Sequence, residues 1–395
     1  MLPALPAYSE TFFRSKISGL IESGDEVVLF VPMGKGEQYE GAQVVHQRVI
    51  VENSLVQIFL IFMMLVELGL RRPFVLKNFI KYERKSKRSW RAILENIYIN
   101  AHVLLQKLDW LHFGFATMGL RRENVGLAIG AKVAASFRGY DVALYPLNHR
   151  DCYNLLWNKI DKVHTISTDL LEKAYRLGLS REVPVVKITP AIKAHCFLFD
   201  RLFIDDKKLS ILTIGRLHWV KGLEYTLEAL AIFKKGGYSF HYTIVGEGKE
   251  HERLVFAAHQ LGIAEQVTFL GKLPHEQIPA VMQKHDVYIQ YSLQEGFCNA
   301  VLEAQAAGLL CIVSDAEGLS ENVLDAITGW VVKRRNPAAL AEKIMEVFLL
   351  TSSEKKTISL TSANRISKEF DVDMQRKRFL EFYHDTSNNQ QTSAI

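Results

Sequence analysis

Four side chains in the second half of this 395-residue chain have the types and spacing to hold a doubly charged, hydroxyl-rich ligand. Arg216 and Lys221 lie in Gly215-Arg216-Leu217-His218-Trp219-Val220-Lys221-Gly222, just after an apolar run at 209–214. Two cations beside a helix start make a clamp for a diphosphate, because the helix dipole adds its own positive end. Gly215 lets a ligand approach the backbone closely. Further on, Glu295 and Glu303 bracket a segment that begins Gly296-Phe297-Cys298-Asn299-Ala300. Free amides from Phe297 to Ala300 at a helix start suit phosphate oxygens. Were the whole segment helical, eight steps would cover roughly 12 Å. That span reaches from a sugar ring, across a diphosphate, to a ribose. A carboxylate suits both ends because it accepts from paired hydroxyls: Glu303 from the ribose, Glu295 from the sugar. A solvated basic loop and an amphipathic helix with two exposed glutamates account for each segment alone. Their convergence at strand-to-helix turns of one domain is what solvated surface does not explain.

The elements that must position these groups are short, nearly continuous apolar runs. They lie at 26–31, 109–113, 132–137, 162–166 and 185–188 in the first half, and at 209–214, 241–245, 266–270, 286–290, 310–313 and 330–332 in the second. Runs without in/out alternation suit parallel strands covered on both faces. Helical patterns between them make repeated βαβ units, an α/β chain of two doubly wound domains. In such sheets ligands sit beyond the carboxyl ends of the strands. The expected division is a first domain at 1–190, a seam at 190–208 with the polar cluster Asp205-Asp206-Lys207-Lys208, and a second domain at 205–365. A C-terminal helix at 366–385 is expected to return to the first domain, and 386–395 to be a disordered tail.

The second half resembles the donor domain of the retaining family-4 glycosyltransferases. The resemblance is carried by Gly-Arg-Leu-x-x-x-Lys-Gly at 215–222, Ile-Val-Gly-Glu-Gly at 244–248 and Glu-x7-Glu at 295–303. Gly318-Leu-Ser-Glu-Asn-Val323 and Thr328-Gly-Trp-Val-Val332 complete it. It implies the GT-B fold, two Rossmann-like domains facing across a cleft. It also implies a nucleotide-sugar donor, retention of anomeric configuration and no metal or other cofactor. In that family the diphosphate would fall to Arg216 and Lys221, the ribose to Glu303 and the donor sugar to Glu295. Gly246, Gly271 and Lys272 would lie along the nucleotide, the last two near its base. The start, Pro6-Ala7-Tyr8-Ser9-Glu10-Thr11-Phe12, resembles exopolysaccharide and colanic-acid-type members, and Ser9, Glu10, Thr11, His112 and Arg138 are candidate acceptor or sugar contacts. Two departures stand out. Only residues 1–5 precede the Ser-Glu-Thr loop where the family has a strand, and Arg138 replaces a histidine. A guanidinium cannot act as a base, although it can bind a phosphate or acidic sugar.

Several features point elsewhere or nowhere. Asp371-Val-Asp373 is formally an Asp-x-Asp but lies outside the sheet loops. Gly246-Glu-Gly248 lacks the third glycine of a dinucleotide fingerprint, and Gly34-Lys35-Gly36 lacks the full phosphate-loop pattern. Cys152, Cys196, Cys298 and Cys311 form no zinc spacing and suit a reducing cytoplasm. The first residues lack a signal peptide's basic start and apolar core. The apolar run 58–66 is short of the roughly 20 residues of a span, which favours a buried or membrane-surface helix.

Charge is concentrated. Residues 71–91 hold nine cations against Glu83 alone, in a chain whose net charge is +5. With Phe74, Phe79, Tyr82 and Trp90 interleaved, the stretch suits an anionic membrane surface, and no nucleic-acid module accompanies it. The reading is a cytoplasmic enzyme, peripheral on the inner face of the plasma membrane. It would transfer a hexosyl unit from a UDP- or GDP-sugar to a sugar or lipid-linked oligosaccharide in bacterial exopolysaccharide assembly. The alternatives are a non-catalytic sugar-nucleotide-binding subunit and a synthase with a soluble acceptor.

Overall fold

The computed structural model describes residues 1–6, 11–32, 36–199, 201, 203 and 208–384. The chain forms two compact units: Met1–Ile188 with Arg376–Ile395, and Thr189–Gln375.

In the first unit the strands are β1 (Val28–Val31), β2 (Gln38–Tyr39), β3 (Ala42–His46), β4 (Trp110–Phe113), β5 (Lys132–Phe137), β6 (Lys162–Thr165) and β7 (Val185–Lys187). They form a β1-β3-β2 sheet and a parallel β4-β5-β6-β7 sheet. Backbone bonds of the first residues bridge the two: Leu2 N–H donates to Phe30 O at 2.9 Å, and Gly114 N–H to Met1 O at 2.9 Å. Strands β2 and β3 had no apolar run to announce them, because β2 is two residues long at the sheet edge and β3 alternates buried with exposed positions.

Four helices matter below: α1 (Thr11–Glu22), α2 (Ser54–Arg71), α3 (Pro73–Lys85) and α4 (Trp90–Leu104). Asn53 caps α2, its side chain accepting from the Leu55 and Val56 amides. Pro73 ends it, since proline disfavours helix at the preceding residue, and then opens α3 at the position where its missing N–H costs nothing. The core of this unit joins Phe12 and Phe13 of α1, Leu29, Val44 and, from the far end of the chain, Phe379 and Phe382.

The second unit holds β8 (Lys208–Ile214), β9 (Ser239–Val245), β10 (Val267–Gly271), β11 (Val287–Gln290), β12 (Leu310–Ser314) and β13 (Trp330–Val332). All are parallel, in the order β10-β9-β8-β11-β12-β13. In chain order that is third, second, first, fourth, fifth, sixth, the doubly wound dinucleotide-binding arrangement. Every residue of β11 and β12 is buried, as helices on both sheet faces require.

The division differs from the expected seam at 190–208. It falls after Ile188, because the following residues are held by the second unit. Ile192 N–H donates to Phe370 O at 3.0 Å, and Arg201 donates to the Met282 and Ala307 carbonyls at 2.9 and 3.3 Å. Residues 205–207 of the polar cluster lie outside the described residues, and Lys208 already begins β8. The expected helix at 366–385 is two elements. Helix Ser352–Glu369 stays with the second unit, where Ser359 Oγ donates to Gly308 O at 2.8 Å and Ile366 is fully buried. Helix Val372–His384 crosses the division, and its residues from Arg376 belong to the first unit. Asp371 caps this last helix by accepting from the Asp373 and Met374 amides at 2.9 and 3.4 Å. The Asp-x-Asp is therefore a helix start. The tail at 386–395 lies outside the described residues.

Candidate functional site

The strand order reverses between β8 and β11, and in doubly wound sheets the carboxyl ends of the strands at such a switch are where ligands bind. Lys221 comes from the first loop and Glu295 from the second, and the Lys221 ammonium donates to Glu295 Oε2. Both side chains are largely buried, at 14% and 17% exposure. Burial pulls the Lys221 ammonium down, but Glu295 beside it more than offsets this and its pKa lies above the ordinary value. Arg216 stands on the same loop, exposed and without an ion pair among the described residues.

Glycines let these loops close up. Gly222 has φ +61°, and a Cβ there would lie 2.2 Å from Tyr291 O. At Gly246, with φ +145°, a Cβ would lie 1.9 Å from Gly215 O. The loops after β8, β9 and β11 therefore press together only because these positions carry no side chain. Gly246 N–H also donates to Gly271 O at 2.8 Å, tying in the β10 loop. Lys272 follows there, exposed.

Glu295 is held from behind. Its amide donates to Glu317 Oε2 at 2.8 Å, and its carbonyl accepts from Gly318 N–H at 3.0 Å. Glu317 adopts φ +26°, a strained backbone for a residue with a side chain. Arg334 adds a contact to Glu317 at 3.6 Å and donates to Leu293 O at 2.7 Å. Neither Glu317 nor Arg334 was a candidate from sequence, since a single glutamate before Gly318 carries no spacing signal.

The helix after β11 is shorter than expected. It runs Asn299–Ala306, so Glu295 and Gly296 lie in the loop and the all-helical span does not apply. The amides are also not all free. Cys298 N–H donates to Asn322 Oδ1 at 3.1 Å, while Asn322 Nδ2 returns a bond to Cys298 O at 3.0 Å. Asn322 is fully buried; its place in the motif at 318–323 carries no sign of this tie. Phe297 is buried against Phe370, with ring centroids 5.8 Å apart, and Asn299 and Ala300 are half-buried. Burial pushes the Cys298 thiol up to about 12, so it stays protonated.

Glu303 projects from this helix, mostly buried, and accepts from His275 Nε2 at 2.9 Å. His275 lies on the β10 loop, edge-on to Phe197. The hydrogen bond to Glu303 holds its pKa above the ordinary value against the pull of burial. His275, too, was absent from the sequence candidates. The expected donor residues 215–222, 246, 271–272 and 295–303 thus all sit on strand-end loops and one helix of the second unit.

In the first unit the expected contacts fare differently. Ser9 and Glu10 lie outside the described residues, as does the side chain of Thr11, whose backbone opens α1. His112 is turned inward. Its Nε2 lies 2.8 Å from Ser136 Oγ, and its Nδ1 lies 2.6 Å from Tyr383 Oη and 3.4 Å from Lys16 Nζ. Both ring nitrogens are thus engaged inside the unit. The Arg138 guanidinium stacks 3.8 and 4.0 Å from the Phe12 and Phe13 ring centroids. Its amide and that of Gly139 donate to buried Asp141, which also accepts from Ala116 N–H and so ties the loops after β4 and β5 together.

This architecture is that of the GT-B fold. Anabaena HepE, solved in complex with UDP, superposes with a TM-score of 0.71 over 96% of this chain and 97% of its own, at 16% identity. Residues 197–361 match the family "Glycosyl transferases group 1", so the second unit carries a glycosyl transferases group 1 domain. The amylovoran biosynthesis glycosyltransferase AmsK of Erwinia amylovora is 27% identical over 270 residues, 66% of this chain and 65% of its own. The chain thus spans just under two thirds of that relative's length. The N,N'-diacetylbacillosaminyl-diphospho-undecaprenol alpha-1,3-N-acetylgalactosaminyltransferase of Campylobacter jejuni is 31% identical over 179 residues, 45% of each chain.

Proposed function

We propose that this chain transfers a glycosyl unit from a UDP- or GDP-sugar to a sugar or lipid-linked acceptor in bacterial exopolysaccharide assembly. The observation that carries the reading is the buried Lys221–Glu295 pair at the strand-order switch, with the exposed Arg216 beside it. The relatives' names favour it: one acts in amylovoran biosynthesis, another on an undecaprenol diphosphate.

In this reading the diphosphate lies against Arg216 and Lys221, the ribose hydroxyls engage Glu303, and Glu295 positions the sugar. As the anomeric bond breaks, negative charge grows on the diphosphate, and the two cations stabilise it where a metal would otherwise be needed. The acceptor hydroxyl attacks from the face the diphosphate leaves, and a phosphate oxygen takes its proton. Configuration is then retained without a metal or a covalent intermediate. Work on an acceptor in the cytoplasmic leaflet would place the chain on the inner face of the plasma membrane, against which the basic stretch 71–91 would lie. Arg88 contributes nothing to that contact, since it turns inward to buried Glu83 and to Glu123 at 2.7 and 2.8 Å. Arg72, half-buried, donates to Leu105 O.

The test is thermal stabilisation by a panel of UDP-, GDP- and ADP-sugars with and without EDTA. One nucleotide should raise the melting temperature unaffected by EDTA, and product NMR should show the donor's anomeric configuration. No response to any nucleotide, or inversion, overturns the corresponding part.

A further inference from the structure

Helix α2 leaves a whole face bare. Met64 and Leu68 are fully buried, and by that side the helix packs on α3 and α4. On the other side Leu55, Ile58, Phe59, Phe62, Val66 and Leu70 recur at the helical step and are exposed, both phenylalanines at 60% and Leu70 at 80%. The two ionisable residues of α2, Glu67 and Arg71, pair with each other near its end, and Glu67 also meets Arg48. Phe59, Phe62 and the still barer Phe74 expose on the order of 400 Å² between them, already what a typical monomer leaves in its largest apolar patch.

The next helix presents the opposite character. Val75, Phe79 and Glu83 of α3 are buried, while Lys77, Lys81, Arg84 and Lys85 are exposed. Only Arg72 separates the two helices. By length and composition α2 is able to cross a membrane. Its packing argues against that, because a crossing would strip Met64 and Leu68 of their contacts. A helix apolar on one side and fixed by the other lies along an interface. A second copy is the poorer occupant. A twofold contact would bring two sets of cations towards each other, whereas an anionic leaflet neutralises them.

We infer that the outward face of α2 embeds at the headgroup–acyl boundary of an anionic bilayer, with the α3 cations on the lipid phosphates. The inference deepens the membrane reading above and rests on it. It adds the apolar part of the contact, which salt does not screen.

The experiment is flotation of the full chain with phosphatidylcholine vesicles and with vesicles containing phosphatidylglycerol, at low and high salt. Wild type should bind the anionic vesicles and keep part of that binding at high salt. Phe59→Asp with Phe62→Asp should weaken binding at least about tenfold, since two aromatic insertions are lost, with the circular-dichroism melt unchanged. Leu55→Ser with Leu70→Ser provides an independent pair should the first variant fail to fold. Wild-type-like binding by both pairs overturns the inference and leaves a purely charged contact. Equal binding to neutral and anionic vesicles, lost in the α2 variants, upholds the embedded face and removes the anionic reading. Dimerisation in sedimentation that the same variants abolish, without vesicle binding, assigns the face to a second copy and overturns the proposal.

Discussion

At the scale of single residues the site is a set of carboxylates, each already engaged by a cation or an imidazole. Glu295 holds Lys221, and Glu303 holds His275. Lys221→Ala strands a largely buried carboxylate and, on the proposed reading, removes a cation from the diphosphate. On the proposed mechanism kcat should fall about 10²–10³-fold, which single-turnover kinetics with the identified donor would measure; unchanged turnover sinks the assignment. The His275 pair has a spectroscopic signature. Its folded pKa is raised, so the pair's contribution to stability is fully present below the ordinary value of 6.5 and is lost as pH rises through the folded value. Histidine NMR should place the His275 midpoint above 6.5, and Glu303→Gln should bring it back down. A midpoint unmoved by that change would mean the hydrogen bond is absent in solution.

At the scale of elements, the runs at 132–137 and 330–332 coincide with β5 and β13, because strands buried on both faces must be apolar at nearly every position. The strand-end loops of the candidate site were legible for a similar reason: charge and glycine at strand ends stand out against such runs. What was not legible depends on contacts far apart in the chain. The paired bonds between Asn322 and Cys298 join residues 24 positions apart, and no local pattern marks them. The inward turn of His112 depends on Tyr383, 271 positions away. The exposed face of α2 was hidden for another reason. Apolar residues surround the helix on all sides, so periodicity could not say which face was covered. Asn322→Ala leaves the buried Cys298 amide without a partner, and its carbonyl with Leu302 N–H alone, and should cost about 1–3 kcal/mol. Chemical denaturation would measure it, and donor binding should weaken in parallel because the β11 loop loses its tie.

At the scale of the whole molecule, the first unit conceals titratable groups. Burial, ahead of nearby cations, holds His112 and His164 well below the usual 6.5 and His102 at about 3. The three stay neutral in the fold, whereas the unfolded chain protonates them near 6.5. They therefore stabilise above that pH, and the stability is lost as pH falls below it. The melting temperature should drop between pH 7 and 5, and His102→Gln should flatten the slope; a flat wild-type profile would contradict the burial. The same unit has a second peculiarity of arrangement. Phe379 and Phe382 complete a core begun by Phe12 and Phe13, and Trp110 Nε1 donates to Tyr383 O at 3.1 Å. During synthesis the ribosome delivers residues 1–188 first, yet this unit must wait for the chain's last helix before its core can close. The continuous second unit is complete earlier, so residues 1–188 are made before it and yet close their core after it.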